Sequence, residues 1–73
     1  MSGLAAYQGR VVAEKAELDG KLTALVAFFD SPVFAGLDGN EKNRLSRQAV
    51  AMQAYSSILG ERIAVFTCPE EFR

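Results

Sequence analysis

Two small sets of residues have the types and spacing to hold a charged ligand. Lys42, Arg44 and Arg47 crowd into one short stretch, with Asn40, Asn43 and Gln48 among and beside them. If that stretch opens a helix, free backbone amides and the positive end of the helix dipole add to three cations, which is the chemistry of an anion or phosphate site. The same residues also suit a solvated polar face. Tyr7, Arg10 and Arg62 form a second set if the chain folds back on itself, and Glu14 then has Arg10 within its own helix, or Arg62 across from it, as an ion-pair partner.

The rest of the inventory argues against catalysis. Histidine, the commonest acid–base residue and metal ligand, is absent. Cys68 is the single cysteine, so no disulfide can close within the chain, and no basic partner in the sequence activates its thiol. Glu14 with Glu17, and Glu70 with Glu71, are carboxylate neighbours of a kind that helices carry on wet faces. The stretch Gly36-Leu37-Asp38-Gly39-Asn40 has turn and cap chemistry, with no phosphate-loop or dinucleotide fingerprint. The sequence therefore predicts no enzyme, no catalytic residue, no metal site and no cofactor.

Charge and length narrow the partners. Eight Lys and Arg stand against nine Asp and Glu in 73 residues. A general nucleic-acid coat needs a clear basic excess, so nucleic acid ranks last among partners. The longest apolar run falls short of a membrane span, and the first residues lack the charged start and apolar block of a secretory signal. No membrane partner and a location in the cytoplasm follow as expectations.

The elements that must position these residues are helices. Leu4, Val11, Leu18 and Leu25 recur every heptad, with Tyr7, Leu22 and Phe29 beside them on one face. Ser2 is a candidate cap for this helix, expected over about 4–29. Gly9 and Gly20 within it are either weak points or places where a partner backbone comes close. Asp30-Ser31-Pro32 ends it, and Pro32 suits the first position of a short helical turn that brings Phe34 and Leu37 over the open end as an apolar plug. After a corner over 30–40, Asp38 and Glu41 have the spacing of a capping box. Leu45, Met52, Leu59 and Phe66 then repeat by heptads along a helix expected over about 39–66, which Thr67-Cys68-Pro69 stops before the tail 67–73.

The two stripes fit each other. Phe29 with Leu45, Leu25 with Ala49, Leu22 with Met52, Leu18 with Ser56, Lys15 with Leu59 and Val11 with Ile63 have sequence numbers that add to one constant, as facing residues of antiparallel helices must. Lys15 is the odd member, its stem packing in the seam and its ammonium reaching Glu14 or Glu61 at the edge. The expected fold is thus all-α, one domain over 1–73, an antiparallel two-helix hairpin with a helical turn at its corner. Val50, Ala54, Ile58 and Val65, with Val12, Val26 and Phe28, form further apolar surface that a lone hairpin leaves wet. Assembly into a helical-bundle homo-oligomer would cover it.

The succession Arg10-Val11, Glu14, Leu18, Lys21-Leu22, Phe28, Ser31, Phe34, Leu37, then Leu45, Gln48, Met52, Tyr55, Leu59, Arg62-Ile63 resembles a group of short, mostly uncharacterised proteins of tailed phages and prophages, among them relatives of a crAss-like phage protein. The resemblance spans roughly residues 7 to 66 and brings no catalytic residues with it. Small phage helical proteins of similar layout include anti-defence sponges, oligomers that sequester cyclic nucleotide signals of bacterial immunity. This chain departs from the motif of the best-known of these sponges, so that likeness is one of size and architecture. The expectation is a counter-defence sponge in the host cell cytoplasm, holding a cyclic or other phosphorylated nucleotide through Tyr7, Arg10, Lys42, Arg44, Arg47 and Arg62. The alternative is a helical module that binds and inhibits or adapts a host protein, such as a defence protein.

Overall fold

A computed structural model describes residues 5–67. Three helices follow in order: α1 over Ala6–Phe28, α2 over Pro32–Ala35 and α3 over Gly39–Thr67, and no strand occurs among the described residues. Leu4 as first residue of the helix, Ser2 as its cap, Cys68, Pro69 and the pair Glu70 and Glu71 lie outside that range. Ala5 stands at the start of α1, in extended geometry. Its amide donates to Gln8 Oε1 at 2.8 Å, so a side chain three residues on closes the first turn.

The corner forms because proline and serine divide the work there. Ser31 is extended, as a residue before proline prefers, and its Oγ accepts from the Phe34 amide at 3.1 Å. Pro32 opens α2, where its missing N–H costs nothing. Phe34 then meets Phe29 at 5.0 Å and Phe28 edge-on at 5.9 Å between ring centroids. At the start of α3, Asp38 Oδ1 accepts from the Glu41 amide at 2.7 Å. The Glu41 carboxylate turns to Arg44 instead of back to the cap, with 2.8 Å between Oε1 and Nη2.

α1 and α3 pack along their lengths in opposite directions, Tyr7 meeting Phe66 near one end and Lys15 meeting Ser56 nearer the middle. The molecule measures 50 × 24 × 16 Å with a radius of gyration of 16.4 Å. A compact chain of this length would have about 11 Å. Among the described residues the buried ones are Val11, Ser56 and Leu59, of which Leu59 is fully enclosed. The other seam residues, among them Leu18, Leu22, Leu25, Leu45, Met52 and Ile63, are half-buried.

Lys15 does not take the partners its position suggests. Its Nζ donates to Asp19 Oδ2 at 2.8 Å and to Ser56 Oγ at 2.9 Å, and Ser56 in turn donates to Asp19 Oδ1. Asp19 lies one turn along the same helix and is half-buried, whereas Glu14 and Glu61 are exposed, and buried Ser56 finds its bonds in this pair. Gly60 makes room for the lysine stem, since a Cβ there would stand 3.3 Å from Lys15 Cε. By contrast, a Cβ at Gly9 or Gly20 would meet nothing within 4 Å, so no close approach within the chain explains either glycine.

Candidate functional site

The two sets of candidate ligand residues stand far apart along the 50 Å length. Near the free end of the helix pair, Tyr7 of α1 and Arg62, Val65 and Phe66 of α3 line an open groove of about 270 Å³. Tyr7 and Phe66 meet edge to face, with 6.0 Å between centroids and 74° between planes. Tyr7 is half exposed, its hydroxyl accepting from Gln8 Nε2 at 3.5 Å, while Arg62 is exposed at the rim. Arg10 lies nearly one turn along α1 from Tyr7 and is exposed, but does not line the groove. Glu14 is also exposed and joins neither of the ion pairs seen among the described residues, Lys15–Asp19 and Arg44–Glu41. The seam cation, Lys15, takes Asp19 as its counter-ion and leaves Glu14 to solvent.

At the corner end the basic residues are already engaged. Lys42 Nζ lies over the Phe34 ring at 5.7 Å from its centroid. Arg44 Nε and Nη2 both reach Glu41 Oε1 at 2.8 Å, and Arg47 Nε donates to Asn43 Oδ1 at 3.0 Å. The three do not converge on one point. They give the start of α3 a cationic flank whose members hold local partners, Lys42 on α2 and the two arginines on α3 itself.

A second groove, of about 430 Å³, runs between the helices and is lined by Leu22, Val26, Ala49, Val50, Gln53 and Ala54. It has no charged residue in its wall. The polar centre of the molecule is instead the Lys15–Asp19–Ser56 triangle, where the lysine ammonium, then the serine hydroxyl, hold the Asp19 carboxyl below its ordinary range. Sequence reasoning missed this triangle, and also missed Phe66 as the ring that completes the Tyr7 groove. The signal for the second was present, because Tyr7 and Phe66 obey nearly the same constant as the seam pairs.

Among the described residues, no group of three acidic, histidine or cysteine side chains is placed to hold a metal ion, and no helix is long and apolar enough to cross a membrane. No solved structure matches the chain. It is 38% identical over 61 residues to an uncharacterised 7.5 kDa protein from the denB–rIIB intergenic region of Enterobacteria phage T4, a match that covers 84% of this chain and 95% of that one. The family model described as Sequestin matches residues 5–65, and on that extent the chain belongs to the Sequestin family of small phage proteins.

Proposed function

We propose that this protein is a non-enzymatic, phage-encoded sequestering protein that works in the cytoplasm of the host as a homo-oligomer of helical hairpins. Its ligand is a phosphorylated nucleotide, cyclic or linear, of the kind used as an immune signal, and its effect is to lower the free concentration of that signal. The observation that carries this reading is the groove of Tyr7, Arg62, Val65 and Phe66, which sets an aromatic edge and apolar wall beside an exposed guanidinium. A nucleobase stacks on such rings for about 1–3 kcal/mol, and a phosphate takes charge-assisted bonds from an arginine. The name of the family agrees with a binding role. Arg10 is the next cation along α1, and Lys42, Arg44 and Arg47 serve a ligand only where another copy brings a groove to them.

The test is native mass spectrometry and calorimetry with a panel of cyclic and linear nucleotides. A discrete mass gain with one of them, lost in Arg62→Ala and weakened about tenfold or more in Tyr7→Ala, supports the reading. No gain with the panel or with a nucleotide extract of infected cells overturns it. The apolar groove of Leu22, Val26, Ala49, Val50, Gln53 and Ala54 favours a second reading, in which the sequestered partner is a host protein that inserts an apolar helix face. That partner would compete with self-association, because Val50 and Ala54 belong to both surfaces.

A further inference from the structure

One face of α3, outside the buried seam, carries Arg47, Val50, Ala54, Ile58, Glu61 and Val65, all exposed; Val50, Ala54 and Val65 also form the α3 rims of the two grooves. Val50 is 70% exposed, Val65 61% and Ile58 54%, values far from those of a finished apolar surface. Residues 48–60 contain no charged side chain on any side of the helix, although one side alone faces α1. An exposed apolar row such as Val50, Ala54 and Ile58 on an uncharged stretch of helix is the kind of surface that association covers. The charges that bracket this segment have opposite signs, Arg47 before it and Glu61 after it.

We propose that this face pairs with the same face of a second copy, antiparallel about a twofold axis at Ala54, and this rests on the oligomer in the reading above. The register follows from the charges. With Ala54 opposite itself, Val50 faces Ile58 of the second copy, and Arg47 faces Glu61 of the second copy, at both ends of a contact about 21 Å long. Parallel pairing would instead set Arg47 against Arg47 and Glu61 against Glu61. The small side chain at the axis lets the helices approach closely, and the Val50–Ala54–Ile58 row, four residues apart, is a ridge of the kind that packs into a neighbouring groove. Arg47 gives only its Nε to Asn43, which leaves its terminal nitrogens for the carboxylate across the interface.

This pairing also answers why the two cationic sets lie apart. The antiparallel register carries Arg62 to Ser46 of the second copy and Arg44 of the second copy to Ala64, on the same side of the axis. The aromatic groove of one copy thereby gains a second guanidinium from the other. A ligand with two phosphates has a cation for each only in the pair.

Four variants test the interface, each with circular dichroism as the check on helix content and light scattering for mass. Arg47→Glu should raise the dissociation constant of the pair at least tenfold, and adding Glu61→Arg in the same chain should restore it, because each new pair again has opposite signs. Ala54→Cys in a Cys68→Ser background should form a dimer under mild oxidation, whereas Ala27→Cys in the same background should not. An oligomer in which the double charge reversal fails to rescue and the Ala54→Cys thiol stays reduced overturns the face while leaving the oligomer standing. A wild-type monomer at tens of micromolar overturns both, and calorimetry on that same monomer decides separately whether nucleotide is sequestered.

Discussion

The half of the molecule around Val11 and Leu59 and the half around the corner hold together by different means. The first contains every buried residue among those described, Val11, Ser56 and Leu59, and closes on the Lys15–Asp19–Ser56 triangle. The second has three phenylalanine rings, two helix caps and a cation over a ring, but encloses no side chain fully. A polar node in an apolar seam fixes register, because sliding either helix would strand its charges. Ring contacts and caps fix the direction of the chain while leaving apolar surface open. The contrast teaches that the first half specifies how the helices meet, and the second offers what remains to be covered.

The sharpest way to break this comparison is to cut one seam residue in each half. Leu59→Ala should lower stability by about 2–5 kcal/mol in urea unfolding, while Leu45→Ala, at a half-buried site, should cost less than half as much. Equal losses would mean that the corner half is as well packed as the other. Ser31→Ala removes the cap of α2 and should cost about 1 kcal/mol, read from the same unfolding curves. Ser56→Ala should cost a similar amount, about 1 kcal/mol, since the lysine and aspartate keep each other.

The triangle also predicts a dependence on acid. Asp19 is held below the ordinary aspartate value of about 3.9, so its contribution is complete above that value and is lost as pH falls through the lower folded-state value. Wild type should therefore lose stability between about pH 5 and pH 2 more steeply than Asp19→Asn, as followed by the urea midpoint at each pH. The smallest expected effect has the opposite sign. Gly9→Ala and Gly20→Ala fill open space on α1 and should each raise stability by up to about 1 kcal/mol, with a rise in thermal midpoint as the readout. A loss at either position would reveal a close neighbour outside this chain.

Much of this architecture was legible in the sequence, and the reason is periodicity. Heptad recurrence of Leu18, Leu25, Leu45, Met52 and Leu59 has no use except on a helix, and a constant sum of facing positions fits antiparallel packing. The corner was legible because Pro32 has its φ fixed by its ring and Asp38 carries the side-chain acceptor that a helix start uses. What periodicity does not encode is the choice among several nearby counter-ions. The sequence offered Lys15 Glu14 or Glu61, and it takes Asp19 together with the buried hydroxyl of Ser56, whose place in the seam was legible but whose bonding was not. The candidate site divides in the same way. Tyr7 and Phe66 come to one groove by the arithmetic of the seam, and Arg62, one turn before Phe66, lines it with them, whereas the turn of Lys42 onto Phe34 and of Arg44 onto Glu41 depends on rotamers that spacing leaves free.

The elongated outline has a practical consequence for anyone who handles the protein. A rod of 50 × 24 × 16 Å drags on solvent more than a sphere of the same mass, and it tumbles slowly about its short axes. On a sizing column a single chain would elute earlier than a compact protein of its mass, at the volume of a heavier globular standard. Elution volume is therefore a misleading witness for this molecule, and its assemblies have to be weighed.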